Sequence, residues 1–246
     1  MGQSGRVGIV AALAAEARTL GCGVPPHEEF ALLPDGSLLA VSGMGFEAAE
    51  RDARALIDAG CNALVSWGLA GALDPRVTPG TVVVPESSML EGAPDLNTSS
   101  SWRARVLASI PAAISGKLLT SKRALASAAD KRAAFLQSGA VAVDMESYAI
   151  AAVAEAHGLP FIAIRAIVDA AADEVPPALL DVTGRDGRLV LGRLLVRLLA
   201  APRMLRPLRG LAQRFRVAGR SLRESARAGV PGPAPDRATP SSAERR

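Results

Sequence analysis

Four acidic side chains are the residues of this sequence best suited to chemistry, and three of them lie within Ala140–Asp173. Asp144 and Glu146 are two positions apart, before an alanine-rich segment, and Asp169 follows an apolar run. Glu16 comes shortly after the first apolar run of the chain. A buried carboxyl group can hold a proton near neutral pH and act as a general acid. Taken singly, Glu146 also suits the first turn of a helix, and Asp169 suits a turn.

The elements around these acids predict where they lie. Ala149–His157 contains no helix breaker, and the Gly-Leu-Pro sequence that follows is typical of a helix end. Phe161–Ala166 is apolar except for Arg165, which indicates a strand covered on both faces. Ligands of open α/β sheets bind beyond the carboxyl ends of the strands, and Asp169 falls at such a position.

The preceding part of the chain alternates apolar strands with helices, which predicts a largely covered sheet. Glycine-rich turns follow two of these strands and suit either tight strand-end geometry or close approach of the backbone to a ligand. The turn at Gly43 lacks the full spacing of a dinucleotide-binding motif. Gly92–Ser101 is polar and predicts a loop. The predicted strands are Val7–Ala12, Leu38–Ser42, Ala63–Ser66, Thr81–Val84 and Lys117–Thr120, and the predicted helices are Phe46–Ala59, Trp102–Ile110 and Ala124–Leu136.

Composition excludes several classes of protein. The chain has 246 residues, of which 49% are hydrophobic, enough for one large α/β core. Two cysteines form no disulfide framework, which predicts reduced thiols in the cytoplasm. Two distant histidines form no metal-ligand pattern, so we expect no metal. The first apolar segment imitates a short secretion signal, but we interpret it as a buried strand. No segment reaches the roughly 20 apolar residues of a membrane span.

The C-terminal quarter of the chain is strongly basic. Residues 185–246 carry 15 arginines against 4 acids, whereas residues 1–184 carry 13 lysines and arginines against 20 acids. An apolar stripe at helical spacing runs through this region, with arginines beside it, and consists of Leu208, Leu211, Phe215, Ala218 and Leu222. Such a helix is typical of proteins that lie on anionic bilayers. The alternatives are docking on its own domain and nucleic-acid binding, which the lack of a stacking platform disfavours.

Five segments resemble, in the same order, those of a known superfamily. They are VGIVAALAAE (Val7–Glu16), VSGMG (Val41–Gly45), SWGLAGAL (Ser66–Leu73), VDMES (Val143–Ser147) and RAIVDAAAD (Arg165–Asp173). The superfamily comprises purine nucleoside phosphorylases and methylthioadenosine/adenosylhomocysteine nucleosidases, and the similarity covers about Arg6 to Ala200. The most similar subgroup is the hopanoid-associated phosphorylase, which acts on adenosylhopane. The resemblance implies a three-layer α/β fold with a central mixed, mostly covered sheet flanked by helices, and at least a homodimer with sites near subunit contacts.

The resemblance also implies roles for individual residues in cleaving the N-glycosidic bond of an adenine nucleoside. Asp169 would protonate the leaving purine, and Glu16 would activate water on the opposite face of the sugar. Glu146 would bind the ribose hydroxyls and stabilise positive charge, with Met145 packed nearby. In the glycine-rich turns, the residues expected to contact the substrate are Ala70, Gly71 and Gly43.

The sequence departs from the superfamily pattern at two places. The serine before the acidic aspartate is Val168, and no aromatic residue near Ser121–Leu125 can stack on the base. A phosphorylase-type arginine motif is not clear either, and Arg18 and Arg51 are the candidates for a phosphate site. Water is therefore favoured slightly over inorganic phosphate, which stays a candidate co-substrate.

The resulting hypothesis is an enzyme that releases adenine from a 5′-modified adenosine, namely adenosylhopane, in hopanoid biosynthesis. The alternatives are a methylthioadenosine/adenosylhomocysteine nucleosidase and a non-catalytic nucleoside-binding membrane adaptor. We predict a catalytic domain over residues 1–201, a basic amphipathic helix at the membrane surface over residues 202–229, and a disordered tail over residues 230–246. The expected location is the cytoplasm, peripherally on the inner face of the membrane.

Overall fold

The described residues form a mixed sheet of ten strands at the centre of the fold, with helices packed against it. The computed structural model describes residues 5–26, 29–174 and 205–232. The strands are β1 (Val7–Ala11), β2 (Ala31–Leu32), β3 (Leu38–Val41), β4 (Ala63–Ala72), β5 (Val82–Val83), β6 (Ser87–Leu90), β7 (Leu96–Asn97), β8 (Lys117–Thr120), β9 (Ala142–Asp144) and β10 (Phe161–Asp169). The helices are α1 (Ala14–Ala17), α2 (Phe46–Asp58), α3 (Ser100–Ser109), α4 (Ala128–Ser138), α5 (Ser147–Ala156) and α6 (Leu205–Arg227). The expected mixed α/β fold is confirmed.

Strand β4 organises the sheet because its neighbours change along its length. Its first half pairs with β1 in parallel, and its end pairs with β9 in antiparallel fashion at Gly71 and Ala72. Strand β10 runs parallel to β4 along the opposite edge. The carboxyl ends of β1, β9 and β10 therefore all lie around the second half of β4.

Two apolar clusters cover the two faces of this sheet, because successive strand residues point to opposite sides. One cluster joins alternate residues of β1, β4 and β10 to helices α2 and α5, which pack against each other. The other joins the intervening strand residues to Trp102 of α3 and to Ala218 and Leu222 of α6. A sheet buried on both faces explains why β10 is apolar throughout apart from Arg165 and Asp169.

Helix α6 packs on the domain through its apolar side. Ala218 and Leu222 are fully buried, and Trp102 Nε1 donates a hydrogen bond of 2.7 Å to the Pro231 carbonyl just beyond the helix. The arginines on the other side are exposed and comprise Arg216, Arg220, Arg223 and Arg227. Part of the stripe thus docks on the domain itself, as the alternative interpretation expected. None of the described helices is long and apolar enough to cross a bilayer.

Two predicted boundaries differ from the observed elements. Strand β4 was expected to end at Ser66, but it continues through Gly68–Gly71 to Ala72. The segment Gly92–Ser101 was expected to be a loop, but it contains the short strand β7 and the first residues of α3. The apolar composition of Leu189–Ala200 also predicts a last core helix, but this segment lies outside the described residues, as does most of the predicted disordered tail.

Candidate active site

A cavity of about 180 Å³ at the carboxyl ends of β1, β9 and β10 is lined by all four of the acids singled out from the sequence, Asp144 among them. Glu16, Glu146 and Asp169 line it, although they are far apart along the chain. Three of the predicted substrate-binding residues line it too, namely Met145, Ala70 and Gly71. The fourth, Gly43, is not among the described lining residues; its φ of 83° instead turns the chain between β3 and α2.

Gly71 of β4 lies at the centre of this arrangement. It is opposite Val143 of β9 on one edge and opposite Asp169 of β10 on the other. A Cβ atom at position 71 would lie 3.1 Å from Oδ2 of Asp169, closer than ordinary van der Waals contact. Glycine at this position therefore lets the Asp169 carboxyl group lie directly against the strand.

Glu16 is held by backbone donors on two sides. The Leu13 N–H donates to Oε2 at 2.8 Å, and the Leu69 N–H donates to Oε1 at 2.8 Å. Burial raises the pKa of Glu16 above its usual value, and the Arg165 charge and these N–H groups oppose that rise only in part. The donors fix the carboxyl group on the cavity wall and favour its ionised form, which is the form that can accept a proton from water.

Glu146 begins α5 and reaches back to the loop before α2. The Gly45 N–H donates to its Oε1 at 2.8 Å, and the Met145 N–H donates to Oε2 at 3.3 Å. Burial, together with the nearby charge of Asp144, raises the pKa of Glu146 to about 7. At neutral pH the group is therefore close to its midpoint and can accept hydrogen bonds from hydroxyl groups once ionised.

The raised pKa of Glu146 predicts a pH-dependent stability. A carboxyl group whose pKa is higher in the folded than in the unfolded protein stabilises the fold below pH 4.5, and this contribution is lost as the pH rises through about 7. We expect the free energy of unfolding of Glu146→Gln to fall less between pH 5 and pH 8 than that of the wild type, by up to about 3 kcal/mol. Urea denaturation at both pH values measures it. Equal falls in the two proteins would contradict the assignment.

Asp169 ends β10 and is paired with a buried lysine. Nζ of Lys131, on α4, donates to Oδ2 of Asp169, and both side chains are buried. Burial raises the pKa of Asp169, whereas the Lys131 charge opposes that shift. The serine that the superfamily places before this aspartate is absent, and Lys131 provides a direct contact in its place.

A second buried ion pair lies behind the cavity. Nη2 of Arg165 lies 2.7 Å from Oδ2 of Asp144, and the same guanidinium group donates to the hydroxyls of Ser66 and Ser147. Thr120 Oγ1 donates to the other Asp144 oxygen at 2.7 Å. Asp144 therefore anchors Arg165 at the start of α5, and the guanidinium charge offsets part of the rise that burial causes in the pKa of Glu16 and of Glu146.

The cavity rim combines the exposed Arg123 with apolar residues, one of which belongs to the C-terminal helix. Phe215 of α6 and Met44 line the cavity, and each is 38% exposed. Phe215 is the only aromatic residue among the described lining residues, and none of the residues Ser121–Leu125 is aromatic. Arg214, beside it, forms an ion pair with Asp173 in the turn after β10.

Three residues of this site were not identified from the sequence. Arg165 carried a usable signal, because a single charge in an otherwise apolar strand indicates a buried ion pair. Lys131 and Phe215 carried none, because each lies in a helix whose distance from the acids is set only by the tertiary fold. The candidate phosphate ligands Arg18 and Arg51 are not among the described lining residues.

The fold is similar to solved nucleosidase structures. One is the 5′-methylthioadenosine/S-adenosylhomocysteine nucleosidase of Colwellia psychrerythraea 34H in complex with adenine, with a TM-score of 0.68 and 19% identity over 92% of this chain and 96% of that one. Another is the Neisseria meningitidis enzyme in complex with methylthio-immucillin-A, with a TM-score of 0.65 and 17% identity over 91% and 97% of the two chains. Futalosine hydrolase of Helicobacter pylori strain 26695 gives a TM-score of 0.63 and 16% identity over 91% and 98%.

No curated protein sequence matches the chain. Residues 35–200, about two thirds of the chain, match the family model of the phosphorylase superfamily. The match includes the segments around Asp144, Glu146 and Asp169, and the architecture of the sheet agrees with it. The chain belongs to the phosphorylase superfamily.

Proposed function

We propose that this protein cleaves the N-glycosidic bond of a 5′-modified adenosine and releases adenine. The observation that carries the proposal is the convergence of Glu16, Glu146 and Asp169 on one cavity. Membership of the phosphorylase superfamily and similarity to a nucleosidase solved with adenine support the same reaction.

Each acid has a task that its environment suits. As the bond from C1′ to N9 breaks, its electrons move into the purine, and Asp169 supplies a proton to N7 so that adenine leaves as a neutral molecule. Glu146 accepts hydrogen bonds from the ribose hydroxyls and stabilises the positive charge that develops on the sugar. Glu16 takes the proton from the attacking water. An acid on one side of the bond and a base on the other resembles the arrangement of inverting glycosidases.

Water is the proposed nucleophile because the cavity offers little to a phosphate ion. The cationic side chains among its described lining residues are Arg123 and Lys131. Arg123 is exposed and lies 3.6 Å from the carboxylate of Asp130, while Lys131 donates to three oxygen atoms of the protein. Neither makes the bidentate cradle that phosphate recognition favours.

The proposed 5′ substituent is apolar, and adenosylhopane is the proposed substrate. The support comes from the rim, where Met44 and Phe215 present apolar surface beside the cavity. A hydrocarbon group attached to the 5′ carbon would contact these residues while the nucleoside lies among the acids. Methylthioadenosine and adenosylhomocysteine are the competing substrates, because the structural similarity is to nucleosidases of that specificity.

The proposal is tested by incubating the purified protein with adenosylhopane, methylthioadenosine and adenosylhomocysteine, each with and without inorganic phosphate. We expect adenine from all three, with the highest kcat/KM for adenosylhopane. Mass spectrometry should identify a free sugar, not a sugar 1-phosphate, as the second product. Absence of adenine from every substrate would refute the enzymatic proposal and favour the nucleoside-binding adaptor. Light scattering on the same sample tests the proposed homo-oligomer.

The membrane association proposed for α6 rests on its exposed arginine face. Because Ala218 and Leu222 are buried in the domain, the helix would adsorb through its charges without inserting its apolar stripe. Deleting Arg203–Arg246 to test this association would also remove Phe215 from the cavity rim. Point substitutions on the exposed face are therefore the appropriate test.

We expect that replacing four exposed arginines by glutamine lowers the affinity for anionic vesicles by about 1 kcal/mol for each charge, with unchanged cleavage of methylthioadenosine. The four residues are Arg216, Arg220, Arg223 and Arg227. Sedimentation with phosphatidylserine vesicles at low salt measures it. A control variant carries the same substitution at two arginines, Arg54 and Arg132, which are exposed on other helices. Equal sedimentation of both variants and the wild type would remove the basis for a membrane-bound enzyme.

A further inference from the structure

Lys131 is a buried cation with three protein acceptors. Its side chain is 1% exposed, and Nζ donates to Oδ2 of Asp169 and, at 3.0 Å each, to the carbonyl oxygens of Ala170 and Asp173. Only an ammonium group has three N–H donors for three acceptors, since a neutral amine has two. The contacts therefore indicate that Lys131 is protonated and that Asp169 is its carboxylate partner in the resting site.

In this arrangement the proton lies on Lys131, whereas Asp169, the proposed acid, is a carboxylate. The proposed reaction requires that a proton reach N7 of the purine, but an Asp169 carboxylate has none to give. Lys131 lines the cavity beside Asp169 and carries the only ammonium group among the described lining residues. We propose that Lys131 holds the proton that Asp169 passes to the leaving purine, so that the two side chains act as one acid; this inference rests on the function proposed above.

The transfer balances when it is written atom by atom. The bond from C1′ to N9 breaks, and its electron pair moves into the purine ring. N7 takes a proton from Oδ2 of Asp169, and the same oxygen receives one from Nζ of Lys131. Lys131 is left as a neutral amine that can still donate to the two carbonyl oxygens. A proton from solvent then restores the ammonium group, and neutral adenine leaves.

The other charged groups near the pair are few. Asp173, in the turn after β10, raises the pKa of Asp169, and Arg214 of α6, which forms an ion pair with Asp173, lowers it. The charged groups that line the same cavity are Glu16, Arg123, Asp144 and Glu146. None of the described groups other than Lys131 donates a hydrogen bond to the Asp169 carboxyl group, so among them Lys131 alone can pass a proton to it directly.

The pH profile of Lys131→Met distinguishes a proton source from a merely structural residue. In the wild type, activity should persist for as long as the pair keeps its shared proton. In Lys131→Met, Asp169 must carry the proton alone, so the alkaline limb of kcat should move down by at least about one pH unit. Activity below that limb should survive. An alkaline limb at the wild-type pH in the variant would overturn the proposal.

Chemical rescue tests the proposal if the Lys131 variant folds but is inactive at every pH. In Lys131→Ala, ethylamine should restore adenine release at least about tenfold at pH 8, since it can occupy the space of the missing side chain, and ethanol should not. Failure of ethylamine to restore activity would overturn the proposal. The control is Arg132→Met on the exposed side of the same helix, which should leave the profile unchanged. If the wild type releases no adenine, the proposed function fails first; if it does and neither Lys131 variant differs from it, only this inference fails.

Discussion

Replacing Asp169 by asparagine is expected to lower kcat for adenine release by about 10²- to 10⁴-fold, the usual contribution of a positioned acid. Asparagine has nearly the same shape but can neither hold the transferable proton nor receive one from Lys131. KM should change by less than about threefold, because a group that acts only in the transition state contributes little to ground-state binding. Initial rates of adenine release from methylthioadenosine measure both constants.

The control for this substitution is Asp95→Asn. Asp95 is exposed and pairs with Lys117 at 3.0 Å, away from the cavity. This variant should match the wild type in both constants. If Asp169→Asn kept kcat within threefold of the wild type, the purine would have another proton donor, and the assignment of Asp169 as the acid would be wrong.

Replacing Arg165 by methionine is expected to lower the free energy of unfolding by about 3–5 kcal/mol. The Arg165 side chain is 2% exposed and its partner Asp144 is also buried, so the substitution leaves a carboxylate in the core without its cation. The hydroxyls of Ser66 and Ser147 lose the hydrogen bonds that Arg165 donates to them at the same time. Urea denaturation followed by circular dichroism at pH 7 measures the loss.

Arg54→Met is the matched control for this prediction. Arg54 pairs with Glu50 one turn earlier on the exposed face of α2, at 2.7 Å. Exposed pairs of this type contribute about 0.3–0.5 kcal/mol, so the control should be several-fold less destabilised than the core variant. A loss below about 1 kcal/mol in Arg165→Met would show that Asp144 finds sufficient compensation in its bonds from Thr120 and Ser147.

The three acids of the site were predicted mainly from the resemblance to the superfamily, and their positions after a strand or before a helix agree with that prediction. Carboxyl ends of neighbouring parallel strands share one edge of a sheet, so positions such as Glu16 and Asp169 come together without any knowledge of the loops. Lys131 and Phe215 could not be found in this way. Their approach to the cavity depends on how α4 and α6 dock, and periodicity gives the buried face of a helix but not the surface that covers it.

The length of β4 shows why local signals failed at one strand. Glycines at positions 68 and 71 were expected to form a turn, since glycine usually interrupts strands. In the structure both glycines are strand residues. A side chain at these positions would crowd the neighbouring functional groups. A Cβ atom at Gly68 would lie 2.6 Å from Oε1 of Glu16 and would also collide with the guanidinium group of Arg165. Crowding by these functional groups, which the local sequence does not encode, explains the glycines.

Helix α6 shows the same limit of prediction from local sequence. Its spacing predicted a helix with one apolar stripe, and α6 is that helix. Burial of an apolar stripe in a bilayer and burial against the apolar surface of a protein domain both stabilise such a helix, so the sequence could not distinguish the two. Burial of Ala218 and Leu222 shows that the domain covers part of it.

Phe215 and the exposed arginines belong to one rigid helix, so a molecule adsorbed through those arginines would hold its cavity mouth at a fixed height above the lipid headgroups. Encounter with a lipid-anchored nucleoside would then be a search in two dimensions. Turnover would follow the mole fraction of substrate in the bilayer and not its bulk concentration, and adding inert anionic lipid would slow the enzyme by surface dilution.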